Sequence, residues 1–224
     1  MVFDDGASRA VWLDERTGSL GGLAATALAI ESSTLTPAWL QELGSAMAAR
    51  GIAFIDAPVA GSRPQADAGQ LIFMAGGDSA TVERARPVLR QMGGALHHVG
   101  ADGSGAWLKL VVNAIFGTQV AAMAEQLALL RAAGVDAERA LATLKAMPVT
   151  SAAAGGAATL MLARNFAPQA PIDLIAKDLA YALRSAEQAG TALPVTAAVA
   201  ERFLAASAAG HGHENLVAVA KLHD

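Results

Sequence analysis

The stretch Gly103-Ser104-Gly105-Ala106-Trp107-Leu108-Lys109-Leu110-Val111-Val112-Asn113 runs on without a break to Ala133 and stops at Gly134. Read as one helix from Ser104 to Ala133, it spans about 45 Å at 1.5 Å per residue. It also divides the chain. Before it, short apolar runs alternate with helical signals: strands are expected over 27–30, 52–55, 71–74 and 96–99. Thr36-Pro37 opens a helix that Gly51 stops, and Asp78 caps another that Pro87 is expected to break or kink. The segment Asp56 to Pro64 carries too much Pro and Gly for a helix and reads as a loop. After Gly134 only helical signals remain, over 136–147, 151–163, 171–189, 194–209 and 216–222. The expected fold class is therefore α/β followed by all-α, with domains at 1–102 and 103–224 joined by the long helix.

Composition narrows the function. The 224 residues are 54% hydrophobic and 16% charged, and 55 of them are alanine, which excludes a disordered chain and points to closely packed helices. The net charge is −4 with no basic stripe, so no nucleic-acid partner is expected. Cysteine is absent, which removes disulfides, thiolate nucleophiles and thiolate metal sites, and the five histidines show no metal-binding spacing. His211 and His213, in a Gly-rich stretch, are expected in solvent. The N-terminus MVFDDGASRAVW has acids where a signal peptide needs basic residues. The apolar stretch Leu110 to Ala124 is interrupted by Asn113, Thr118 and Gln119. A soluble, cytoplasmic protein without a membrane partner is the expectation.

Lys109 and Asn113 stand four residues apart, on one face of the helix. The glycines at 103 and 105 allow a close backbone approach where the helix begins. The positive helix end and partial loss of solvent favour a neutral amine or a ready ammonium donor, and an amide one turn on can orient a hydroxyl or carbonyl. That is an acid/base pair for C–O/C=O interconversion. A snorkelling lysine and a helix-pairing asparagine would have the same spacing. Gly61, Ser62 and Arg63 could grip a carboxylate through backbone and side-chain donors, although an ordinary strand-to-strand loop has this composition too. Thr34, at the end of a strand in an open α/β sheet, stands where ligands bind. Lys177-Asp178, adjacent on a helix, has the pattern of a solvated face.

In order along the chain these segments resemble the β-hydroxyacid dehydrogenases, a family that includes 3-hydroxyisobutyrate dehydrogenase and glyoxylate/succinic semialdehyde reductase. The family's substrate loop is matched by Asp56-Ala57-Pro58-Val59-Ala60-Gly61-Ser62. Its catalytic motif is matched at Gly103, Gly105, Lys109 and Asn113, its lysine–aspartate pair at Lys177-Asp178 and its Ser-Thr after a strand at Ser33-Thr34. The resemblance covers almost the whole chain, the second half being similar to the helical domain of 6-phosphogluconate dehydrogenase.

It implies a Rossmann-type doubly wound domain followed by a helical domain, NAD or NADP as cofactor, a small carboxylate substrate and a homo-oligomer. Lys109 and Asn113 are then catalytic, Ala60, Gly61 and Ser62 bind substrate, and Val2, Phe3, Thr34 and Lys177 contact the cofactor. The chain departs from the family at two places. No G-x-G-x-x-G occurs, and Met1 to Asp5 resembles the stretch after the family's fourth strand, so about two βα units would precede it in the family. Ala60 also stands where the family has a serine for the substrate carboxylate. The expectation from these departures is an incomplete nucleotide domain that binds NAD(P) weakly. A non-catalytic oligomerisation or binding module is the alternative, and Ser62-Arg63-Pro64 leans toward the glyoxylate/semialdehyde reductases.

Overall fold

The computed structural model describes residues 1–224, which divide into two compact units, Met1–Val112 and Asn113–Asp224. The first unit is built on a five-stranded mixed sheet. Strand β1 (Leu28–Glu31) pairs in parallel with β2 (Ala53–Asp56), with Ala29 opposite Phe54 and Ile30 opposite Ile55. The two-residue β3 (Val59–Ala60) runs antiparallel to β4 (Leu71–Gly76), and β4 pairs in parallel with β5 (Gly93–Gly100). A single antiparallel pairing, Asp56 with Gly76, joins β2 to β4.

Side chains alternate across a strand, so the sheet has two apolar faces to cover. Ala29 and Phe54 pack with Trp39, Leu40, Leu43 and Met47 of α2 (Pro37–Ala49). Ile55, Phe73 and Ala75 face the other way, onto Val82, Ala85 and Leu89 of α4 (Ser79–Leu89). Helices on both faces give the Rossmann-type arrangement. Each helix starts at a residue suited to it: Thr36 Oγ1 accepts from Trp39 N–H at 3.2 Å, and Asp78 Oδ2 from Thr81 N–H at 3.0 Å.

Several local expectations are corrected. Helix α1 (Asp5–Leu13) was not anticipated; Asp4 caps it by accepting from Ala7 N–H at 2.8 Å. Pro87 does not break α4, which continues to Leu89. It sits in the last turn, where one missing N–H interrupts little. The segment 56–64 is not all loop. It holds β3 and the start of α3 (Arg63–Asp67), where Ser62 and Gln65 form a reciprocal capping box that satisfies amides the proline and glycine content made easy to overlook.

The long helix α5 (Ser104–Ala132) is present as a single element. The boundary between the two compact units falls inside it, between Val112 and Asn113. Ala106 belongs to the α2 core cluster and Gly105 lies against Met74 and Asp56, so the first turns pack with the sheet. By length and composition alone α5 could cross a membrane, a test that long core helices also pass.

The second unit is all-helical: the rest of α5, α6 (Ala137–Lys145), α7 (Ala152–Leu162), α8 (Ile172–Gln188) and α9 (Pro194–Ala206). Val120, Ala124 and Leu127 of α5 share one core with Ile175 and Leu179 of α8 and with Phe203 of α9. Gly117 faces this core: a Cβ there would make ordinary contacts with Phe203, Ile175 and Leu179 at 3.5–3.7 Å. The C-terminal helical stretch, expected as an α-helix, is a 3-10 helix over Leu216–His223. His211 is half-buried, its Nδ1 lying 3.1 Å from Glu214, whereas His213 is exposed.

Candidate active site

In the first unit the candidate cofactor residues Val2, Phe3 and Thr34 gather around the carboxyl end of β1. Val2 N–H donates to Ser33 Oγ at 2.8 Å, which holds the N-terminal segment beside Ser33-Thr34. Thr34 is half-buried, and Phe3 is exposed. Buried Glu31 anchors the corner, accepting from Ser8 Oγ at 2.7 Å, Trp12 Nε1 at 2.8 Å and Ser33 N–H at 2.8 Å. Burial works against its charge, but these bonds outweigh it and hold the carboxyl below the ordinary glutamate range. A cavity of about 260 Å³ opens here, lined by Val2, Trp12, Glu31 and Ser33 among others.

The substrate-loop candidates follow β2 directly. Ala60 is paired with Ile72, and Gly61 sits at φ +121, a backbone region that suits glycine. Ser62 N–H donates to Gln65 Oε1 at 2.9 Å, so that amide serves the capping box of α3. Gly61 is exposed and Ser62 half-buried.

Behind the loop lies Asp56, with no solvent exposure. Its Oδ1 accepts from Gly103 N–H at 2.7 Å and its Oδ2 from Ala106 N–H at 2.8 Å, both at the start of α5. Burial pushes its carboxyl up to about 6 against the pull of those two amides, and the charge of Asp102 adds to the rise. A Cβ on Gly76 or Gly105 would collide with this carboxylate. Lys109 is half-buried one turn beyond Ala106.

In the second unit Asn113 is buried and donates from Nδ2 to Asp178 Oδ2 at 2.6 Å. The other oxygen, Oδ1, lies 2.7 Å from Lys177 Nζ, and that ammonium stands 4.6 Å from the Tyr181 ring centroid. Lys177-Asp178 is therefore no solvated face: the Asp178 side chain is 1% exposed and the Lys177 side chain 10%. One carboxylate orients two of the candidate residues, one on α5 and one on α8. The sequence hinted at this, since Asp178 falls in register with the apolar Ile175, Leu179 and Ala182 of an amphipathic helix. The sequence sets Asp56 at the start of a loop, whereas it closes β2 and is a ligand of α5, which no local pattern announces because its partners lie 47 and 50 residues away.

Two family profiles cover the chain: the NAD-binding domain of 6-phosphogluconate dehydrogenase over residues 1–100, and the NAD-binding domain of NADP-dependent 3-hydroxyisobutyrate dehydrogenase over residues 103–223. L-threonate dehydrogenase of Cupriavidus necator is 31% identical over 87% of this chain and 66% of its own length. 3-Sulfolactaldehyde reductase of Escherichia coli is 34% identical over 90% of this chain and 68% of its own. The chain thus spans about two thirds of the length of these relatives. Among solved structures, 3-hydroxyisobutyrate dehydrogenase of Mycobacterium tuberculosis superposes with a TM-score of 0.89 at 28% identity, over 99% of this chain and 77% of that one. With sequence, profiles and fold in agreement from one end to the other, the chain belongs to the NAD(P)-dependent β-hydroxyacid dehydrogenase family.

Proposed function

We propose that the protein interconverts a small hydroxy acid and its aldehyde or keto acid, of the 3-hydroxyisobutyrate or glyoxylate/semialdehyde type, with Lys109 as general acid and base. The observation that supports the reading is the Asp56–α5 junction, which ties the helix start preceding Lys109 to the strand end from which the candidate substrate loop leaves. On reduction the Lys109 ammonium donates its proton to the carbonyl oxygen; on oxidation the neutral amine takes the hydroxyl proton. Asn113, its amide turned by Asp178, orients the reacting oxygen. Gly61 N–H and the Ser62 hydroxyl hold the carboxylate, Ala60 having no hydroxyl to offer.

NAD(P), when bound, supplies or accepts the hydride. In the first unit the Thr34 hydroxyl and the Val2-Phe3 backbone, and in the second the Lys177 ammonium, are the groups that the family resemblance assigns to holding it. Self-association belongs to the same reading.

Oxidation of NADPH and NADH with a panel of small aldehyde and keto acids tests the reading. Lys109→Ala should lose turnover by the 10²–10⁴-fold typical of an acid/base group, with cofactor affinity unchanged. Lys109→Arg should rescue little, since a guanidinium cannot cycle through a neutral form. Wild-type turnover in a folded Lys109→Ala would remove the mechanism.

A further inference from the structure

We infer that Asp56 is the positioning residue of the Lys109 site: its buried carboxylate fixes the start of α5 against the end of β2 and so sets where Lys109 stands. The inference rests on Lys109 being the proton-transfer group.

Six helices of this protein, α1, α2, α3, α4, α6 and α7, are capped by the residue directly before them. At α5, two amides are instead taken by a carboxylate from another element, 50 and 47 residues away. Two oxygens on two amides three residues apart restrain both the height and the rotation of the first turn; a single bond would leave a pivot. The carboxylate is itself immobile. Its backbone pairs with Gly76, Ala57 N–H donates to Glu31 O at 2.8 Å, and Pro58 O accepts from Met74 N–H at 3.0 Å. Gly76 and Gly105 leave no space around it, so neither the end of β4 nor the helix can slide.

A cap needed only for stability would be served by an exposed Ser, Thr or Asn at small cost. Burying a carboxylate instead is expensive, and the return is a rigid link from the loop, which begins at the next residue, to the turn before Lys109. Asp102, also raised by burial, is the neighbouring carboxylate whose charge acts on Asp56.

The 224-residue protein has four lysines, so reductive ¹³C-dimethylation gives a simple NMR spectrum of four lysine signals and one from the N-terminal amine, in which Lys145, Lys177 and Lys221 serve as controls. In Asp56→Asn the Lys109 signal should move and its titration shift by about half a pH unit or more, with the three controls unchanged. Asp56→Glu keeps the charge but lengthens the arm by one methylene, so it should not restore the wild-type signal. A folded Asp56→Asn with an unmoved Lys109, or full restoration by glutamate, overturns the inference.

Should neither variant fold, the wild type still decides. Following the Asp56 carboxyl carbon with pH, the Gly103 and Ala106 amides and the Lys109 side chain should titrate together. Amides that follow while Lys109 does not would reduce Asp56 to a cap. None of these readouts needs turnover. A moving Lys109 in a protein without dehydrogenase activity would refute the proposed reaction and leave the positioning intact, and turnover with an unmoved Lys109 would do the reverse.

Discussion

Replacing Asp56 by asparagine should flatten the dependence of stability on pH. The folded carboxyl titrates at about 6 against an ordinary aspartate value of 3.8. A raised carboxyl contributes stability that is fully present below the unfolded value and is lost as pH rises through the folded one. At about 1.4 kcal/mol per pH unit the whole effect is about 3 kcal/mol, of which about 2 falls between pH 4.5 and 7. That window isolates Asp56. Asp14, Glu31, Glu42, Asp78, Glu83, Glu214 and Asp224 are all held below their ordinary values and act at lower pH, with the opposite sign. Asp102 shares the window but is largely exposed to solvent.

Asparagine cannot ionise, and it places an NH₂ group against a backbone N–H, which costs about 1–3 kcal/mol at every pH. The variant should therefore start below the wild type at pH 4.5, and the gap should close by about 2 kcal/mol by pH 7. Urea unfolding of both proteins at pH 4.5, 5.5 and 7 measures this. Parallel curves would show that Asp56 does not carry the raised value, and the account of its burial would fall with them.

Three further outcomes are expected. Gly105→Ala should destabilise by several kcal/mol in thermal or urea melts, because the new Cβ meets the rigid Met74 carbonyl as well as Asp56 Oδ2 at 2.6 Å. Asp178→Ala leaves the Lys177 ammonium and the Asn113 amide buried without this shared carboxylate. A loss of about 3–5 kcal/mol is expected, and a loss below 1 kcal/mol would show that the cluster is not held as described. Phe203→Ala empties the centre of the helical core, where the ring has no solvent exposure, and should cost about 3–5 kcal/mol by chemical denaturation.

Much of this protein is readable from local chemistry. The long helix after Gly103 follows from an uninterrupted apolar pattern ended by Gly134, which adopts φ +71. The starts of α2 and α4 follow from Thr36-Pro37 and Asp78, because a cap is a contact between residues three apart. The pairing of Lys109 with Asn113 along one face is likewise a matter of helical period.

What local chemistry does not contain is the fate of a charge. Asp56 and Asp178 are both carboxylates beside apolar residues, and in one dimension the second has the pattern of a solvated ion pair. Only the folded chain decides that Asp56 meets amides some fifty residues further on, or that Asp178 is shared between α5 and α8. The physical reason is that desolvation and hydrogen bonding depend on what surrounds a group in space. Burial penalises the charge at both Asp56 and Glu31. Yet one carboxyl rises and the other falls, because Glu31 collects three donors where burial is less severe, and Asp56 has no route to water at all.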